Sequence, residues 1–288
     1  MTANLLSRPL VSAAELAAAI HDRRVRPVDV RWKLGIADHG RRVYEGGHLP
    51  GAIFLDLDGE LSDPDGLGAP GRHPLPYPAD FARLLGDVGI GDDTFVVAYD
   101  DAGGTVAARL WWMLDDLGHD AVAVLDGGID AWRDAGLPLT TEPPVAAPTA
   151  IHLRGRWSRV LERAEVGSRA GGTVLLDARA PERYRGEVEP VDPVAGHIPG
   201  AISAPTTDNL ADGRMLGAEA LAARFQGLGV GPTGPAIVYC GSGVNAAHQA
   251  LAMRIAGLPD PLLYAGSYSD WTRSGLAVAT GREPGELR

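Results

Sequence analysis

Apolar and polar positions along the chain sort into two alternating kinds of segment. Short β-branched runs read as strands at Val28–Val30, Phe95–Ala98, Ala121–Leu125, Val174–Asp177, Ala236–Tyr239 and Leu262–Tyr264. Between them, apolar residues at helical spacing predict helices over Ala79–Asp87, Thr105–Leu117, Ala218–Gly227 and Asn245–Ala256. Strands separated by helices imply an α/β fold, a mostly parallel sheet with helices on both faces. Ligands in such sheets bind at the carboxyl ends of the strands. Residues that end a strand are therefore the first candidates for chemistry.

The pattern occurs twice. Gly-His-Leu-Pro-Gly-Ala-Ile at Gly47–Ile53 returns as Gly-His-Ile-Pro-Gly-Ala-Ile at Gly196–Ile202. The run ending in Tyr99-Asp100 returns as one ending in Tyr239-Cys240, and the segment around Trp132 is echoed around Trp271. Three matches in one order, at nearly constant offset, mean two copies of one domain. Between them Thr140–Thr149 carries three prolines and reads as an extended linker. This reading gives a first domain over 1–140, a linker over 141–150 and a second domain over 151–288.

Composition narrows the functions open to such a chain. Lys and Arg total 26 against 37 Asp and Glu, a net charge of −11, which argues against a nucleic-acid partner. No stretch approaches the roughly 18 apolar residues of a membrane span. The first residues, Met1–Arg8, lack the pattern of an export signal, so the cytoplasm is the expected location. The one lysine, Lys33, has no phosphate-loop motif around it, which excludes that kind of nucleotide site. The one cysteine, Cys240, excludes an intramolecular disulfide, a zinc ribbon and a cysteine-ligated iron–sulfur cluster. No metal and no organic cofactor is expected.

Cys240 stands where the strand Ala236–Tyr239 runs into the loop Gly241-Ser242-Gly243, just before a helix expected at about Asn245. Glycines at 241 and 243 permit positive φ, so successive N–H groups can turn toward one point. The helix N-terminus adds partial positive charge. The segment thus forms a cradle for a nucleophilic sulfur. Four readings apply: a buried structural cysteine, a dinucleotide fingerprint, a cysteine phosphatase and sulfur transfer. The fingerprint wants an acidic residue ending the next strand, which Leu262–Tyr264 lacks. The phosphatase wants an arginine six residues after the cysteine, where this chain has Ala246. Sulfur transfer needs only the thiolate and converging donors.

The motif set resembles the two-domain rhodanese family of sulfurtransferases. It comprises Leu176–Arg179, Arg183–Gly186, Gly196–Ala201, the Cys240 loop and the Trp271 segment, all in family order. The resemblance covers the chain from about Leu10 to Leu276 and implies two tandem rhodanese-like domains. It implies that the first is catalytically silent, since Asp100 occupies the cysteine's place. In the implied ping-pong reaction, Cys240 takes sulfur from a small-molecule donor as a persulfide and passes it to cyanide, a thiol or a thioredoxin-like acceptor. A persulfide carrier or sensor without turnover is the alternative from another class. The complete reactive loop argues for the enzyme.

The family also bears on the donor. Its thiosulfate branch resembles Cys-Arg-Lys-Gly-Val-Thr, whereas Cys240-Gly-Ser-Gly-Val-Asn245 resembles the 3-mercaptopyruvate branch. Thiosulfate:cyanide transfer by the same mechanism is the other reading. In the 3-mercaptopyruvate branch a loop serine works with an Asp and a His of the first domain. The matching residues are Ser242, Asp58 and His73. Arg183 matches the arginine that binds the donor anion, and Arg185 is its neighbour. The loop residues Gly241, Gly243, Val244 and Asn245 complete the implied binding set. Asn245 replaces the usual Thr and still offers a side-chain hydrogen bond at the helix start. A second arginine usual in the branch is missing, because Glu189-Pro190 is succeeded by Val191. His48 and His197 recur in both copies, including the silent one, and are expected to be structural.

Overall fold

The computed structural model describes residues 8–63, 71–169 and 172–286. Residues 1–7, on which the reading of the export signal rests, lie outside them. The chain divides into two compact units. The first contains the residues up to Ser62 and Pro76–Ser158. The second contains Asp63–Leu75 together with Arg159 onward.

The first unit runs β1 (Leu10–Val11), α1 (Ala13–Ala19), β2 (Val25–Asp29), α2 (His39–Glu45), β3 (Ile53–Phe54), α3 (Pro78–Asp87), β4 (Phe95–Tyr99), α4 (Ala107–Asp116), β5 (Val122–Leu125) and α5 (Gly128–Asp134). Helix α1 begins with a reciprocal cap: Ser12 Oγ accepts the Glu15 N–H and a Glu15 carboxylate oxygen accepts the Ser12 N–H. Such a cap stabilises a helix by about 1 kcal/mol. The strands form one parallel sheet in the order β1-β5-β4-β2-β3. In β4, Phe95, Val97 and Tyr99 join Leu16, Val25 and Trp132 in one core, while Val96 and Ala98 are fully buried on the other side. Both faces are covered, which is why the strand reads as a continuous apolar run.

The second unit repeats the plan. It runs α6 (Arg163–Gly167), β6 (Leu175–Asp177), α7 (Pro181–Tyr184), β7 (Ala201–Ser203), β8 (Leu210–Ala211), β9 (Arg214–Met215), α8 (Ala218–Gly227), β10 (Ile237–Tyr239), α9 (Val244–Ile255), β11 (Leu262–Leu263) and α10 (Ser267–Arg273). The parallel order is β11-β10-β6-β7, and a bridge from Val160 to Leu263 stands where β1 pairs β5 in the first copy. Strands β8 and β9 form a small antiparallel hairpin. Each strand and helix predicted from the pattern is present, with ends shifted by up to three residues. The two- and three-residue strands β1, β3 and β7 carry too few positions to show a period of two.

The proline-rich stretch holds no helix or strand over 141–150 and stays with the first unit. The Thr149 N–H donates to the Gly86 carbonyl at 2.9 Å, and the Ser158 N–H donates to Asp116 at 2.7 Å. Contacts therefore divide the chain after Ser158, with Asp63–Leu75 assigned to the second unit. Composition carries neither feature. Among the described residues no helix is long and apolar enough to cross a membrane.

At the end of β4 the Asp100 carboxylate is fully buried. Its two oxygens accept the N–H groups of Ala102, Gly104, Val106 and Ala107 at 2.8–2.9 Å. Removing the carboxylate leaves four converging donors without their acceptor. Asp100→Ala is expected to destabilise the first unit by on the order of 3 kcal/mol or more. Calorimetry should read this as a fall of roughly 6–12 °C in the midpoint of that unit.

Candidate active site

The loop after β10 holds Cys240, which is 3% exposed. Its Sγ accepts the N–H groups of Gly243 at 3.1 Å and Ser242 at 3.4 Å. The Cys240 N–H donates to Ser267 Oγ, and the carbonyls of Cys240 and Gly241 accept the N–H groups of Tyr268 and Ser269. The Cys240 backbone is thus tied to α10. Gly243 has φ +82°, and a Cβ there would lie 2.6 Å from the Ala265 carbonyl oxygen, so the turn admits only glycine. Gly241 lies outside the left-handed region, unlike the expectation from sequence. Its contribution is space.

Ser242 and His73 are brought together. His73 Nδ1 and Ser242 Oγ share a hydrogen bond of 2.7 Å, and both residues are buried. This bond lies within the second unit, because Asp63–Leu75 belongs to it. A close approach seats the segment: a Cβ on Gly71 would meet the Gly266 carbonyl oxygen at 2.8 Å, and the Arg72 N–H donates to Ser269 Oγ. Asp58 belongs to the first unit, where its exposed carboxylate accepts the Trp32 Nε1–H at 2.8 Å.

A chain of alternating charges leads from the sheet to this loop. Asp177, which ends β6, holds Arg179 bidentately, with Nη2 at 2.6 Å. Arg179 Nη1 reaches Glu189 at 3.3 Å, and Glu189 takes Arg183 through Nη2 at 2.6 Å. Arg183 also donates to Asp192 at 3.1 Å, and Asp192 pairs with Arg72. Burial pushes the Glu189 carboxyl up, but Arg183 and the N–H groups of Asp192 and Val191 outweigh it and hold it below the usual carboxylate range. Burial also raises the Tyr239 phenol far above its ordinary value, with Asp177 adding to the effect. The phenol therefore keeps its proton and donates it to Asp177 at 2.6 Å. Arg72 and Asp192 escape sequence reasoning. The signal that could find Arg72 is its position beside His73.

The remaining residues divide. Arg183 points at the loop: a Cβ on Gly241 would lie 3.5 Å from its Nη1. Arg185 instead forms a solvent-facing fork with Glu187, both bonds at 2.7 Å. Val244 is the first residue of α9 and is buried. Asn245 is second in α9, and the cap is Gly243, with no side-chain bond to the cap. The helix therefore starts one residue earlier than predicted. His48 and His197 stack on Tyr44 and Tyr184 at 4.0 and 3.8 Å, each ring between two backbone carbonyls. They brace the Gly-His-x-Pro-Gly turns, as their duplication implies. Among the described residues no three His, Cys, Asp or Glu groups are arranged to hold a metal.

The likeness read from motifs extends to whole sequences and structures. The model of the rhodanese-like domain matches residues 12–135 and 161–274. A Pseudomonas aeruginosa protein named "Probable 3-mercaptopyruvate sulfurtransferase" is 47% identical, over 96% of this chain and 99% of its own. The thiosulfate sulfurtransferase of Mus musculus is 36% identical, over 95% of each chain. The crystal structure of SseA from Escherichia coli, titled for 3-mercaptopyruvate sulfotransferases, superposes with a TM-score of 0.78 at 33% identity. That match covers 91% of this chain and 99% of SseA. Two tandem domains with parallel sheets and one strand-end cysteine agree with these matches, and the chain belongs to the rhodanese family as one of its sulfurtransferase enzymes.

Proposed function

We propose that the chain moves sulfur from 3-mercaptopyruvate to an external thiol or cyanide through a persulfide on Cys240. The observation that carries this reading is one loop presenting a sulfur and a proton path together. Two N–H groups meet Cys240 Sγ, and the next side chain but one, Ser242, is hydrogen-bonded to His73.

The chemistry balances with these groups alone. The Cys240 thiolate attacks the donor's thiol sulfur, forming an S–S bond. The C–S bond breaks, and its electron pair goes to the donor's methylene carbon as an enolate. The thiol proton is taken up by the Ser242–His73 pair and returned to that carbon, giving pyruvate and a Cys240 persulfide. General acid–base help of this kind is worth roughly 10²–10⁴ in rate. The loop N–H groups face the sulfur on which negative charge changes during the transfer. Arg183 steadies the donor's anionic end.

The acceptor must come from outside, because the chain has no second cysteine to resolve the persulfide. A buried thiol working as a nucleophile also suits a reducing compartment, and the cytoplasm is the proposed location. The names carried by the relatives from Pseudomonas aeruginosa and mouse support the reaction class and span both donors. The loop, with serine and glycines in place of cations, favours 3-mercaptopyruvate.

Three outcomes test the reading. Incubation with 3-mercaptopyruvate should add one sulfur, about 32 Da, to the wild type and none to Cys240→Ser by intact-mass measurement. An unmodified wild type would end the covalent mechanism. His73→Ala should slow the donor half-reaction by roughly 10²–10⁴-fold in stopped-flow traces while the thiol stays alkylatable. A kcat/KM comparison should favour 3-mercaptopyruvate over thiosulfate, and Ser242→Lys should move the ratio toward thiosulfate. An unmoved ratio would mean that the loop does not choose the donor.

A further inference from the structure

The second unit has a cleft at the end of its sheet opposite to Cys240. Its volume is about 360 Å³, and it lies where β6 and β10 begin, lined by Leu161, Arg169, Val174, Ala236 and Leu262 and by the loop Gly229–Pro235. Cys240 stands four residues beyond Ala236, roughly 13 Å along β10, so the cleft is separate from the site already described. Its size is that of a small-molecule site, and apolar side chains make much of its wall.

The open space belongs to the second copy. Gly229 and Gly231 precede β10 as Gly89 and Gly91 precede β4. In the first unit a Cβ on Gly89 would lie 2.9 Å from Ala146 Cβ, and one on Gly91 would lie 2.9 Å from Thr149 Cγ2, because the chain after α5 covers them. In the second unit a Cβ on Gly229 or Gly231 would meet nothing nearer than 3.8 Å among the described residues, and one on Gly172 or Gly234 nothing within 4 Å. Gly229–Gly234 has the spacing of a dinucleotide loop, but it leads into a strand. No helix N-terminus follows it to hold a phosphate.

The charge at this edge also differs between the copies. Counted from the matching helix caps Ser12 and Glu162, Arg169 takes the place of Ala19, which packs against the first core. Arg169 is half-buried, its Nη1 donating to the Val166 carbonyl at 2.9 Å and its Nη2 to the Pro199 carbonyl at 2.7 Å. Among the described residues no carboxylate pairs with it, and burial pushes the guanidinium below its ordinary value. Glu165 stands four positions earlier, the spacing of a helical ion pair, but its carboxylate accepts the Glu162 N–H at 2.8 Å instead. A cation drawn out of water without a counter-charge favours an anion beside it.

We propose that this cleft binds a small organic carboxylate, with the anionic end on Arg169 and the hydrocarbon body against Leu161, Val174 and Leu262. An inorganic anion would leave the apolar wall uncovered, and a neutral hydrocarbon would leave the cation unanswered. The cleft lies off the path of sulfur transfer, so its occupancy and the reaction at Cys240 are tested separately.

Isothermal titration calorimetry of the full chain with cyclohexanecarboxylate is the test, with cyclohexanecarboxamide as its neutral twin. The carboxylate should bind saturably, and the amide roughly 10- to 100-fold more weakly, as expected for a lost charge-assisted contact. Arg169→Gln should weaken carboxylate binding by a similar factor, and Arg169→Lys by less. Because Arg169 also holds the Pro199 carbonyl, Thr233→Trp is the independent variant. It fills the cleft from an exposed loop position and should abolish binding while Cys240 still gains one sulfur. Arg183→Ala, which alters the donor site, should leave binding intact. Absence of binding up to about 10 mM carboxylate overturns the proposal. So does equal affinity for the amide, binding that survives Thr233→Trp, or binding lost in Arg183→Ala, which would place the probe beside Cys240.

Discussion

A charged pair taken wholly out of water braces the strand end that carries Cys240. Asp177 and Arg179 are buried to within 2% of complete, and such a pair persists only when its remaining hydrogen-bonding groups are satisfied. They are. The Tyr239 hydroxyl donates to Asp177, Arg179 Nη2 also reaches the Gly196 carbonyl, and the Arg179 guanidinium lies 3.7 Å from the Tyr268 ring centre. The Ile198 N–H closes the circuit on Tyr239 Oη. One ion pair thereby joins the ends of β6 and β10 to the Gly-His-Ile-Pro-Gly turn and to α10. Tyr239 immediately precedes Cys240, so the thiol inherits its place from this lock.

The first unit contains the same lock. Asp29, Arg31, Tyr99, Gly47 and Leu49 repeat the bonds of the second copy one for one. Tyr99, however, is succeeded by Asp100 rather than by a thiol. The Asp100 carboxylate absorbs four loop N–H groups, whereas the loop of the second unit turns two toward a sulfur. The comparison separates scaffold from chemistry. A strand-end loop gathers N–H groups in both copies, and the residue at its base decides whether they close on a carboxylate or on a sulfur.

From Arg179 the second unit extends the ion pair outward through Glu189, Arg183, Asp192 and Arg72. Among its arginines side-chain exposure rises, from 1% at Arg179 to 18% at Arg183 and Arg72, while the Glu189 and Asp192 carboxylates stay buried at 3% and 1%. The inner members hold geometry and the outer ones face the loop. Alternating signs let three arginines cluster without mutual repulsion, and each is held against a carboxylate before any ligand arrives. Such preorganisation lowers the ordering cost of binding an anion.

Much of this was legible along the chain. Alternating apolar runs and helical segments, the doubled turn motif and the glycine-flanked Cys240 are local signals, carried by neighbours a few positions apart. Arg183 was legible through the motif around it, and His48 and His197 through their duplication. Asn245 was placed as a helix-start hydrogen-bonding residue, but the left-handed backbone at Gly243 starts the helix earlier. The sequence by itself determined a duplicated α/β chain with one thiol at a strand end. Only the tertiary structure decided which side chains meet it. Arg72 and Asp192 are 120 residues apart and His73 and Ser242 are 169 apart. Those meetings depend on the close approach of Gly71 to Gly266, a contact between two backbones that no spacing along the chain encodes.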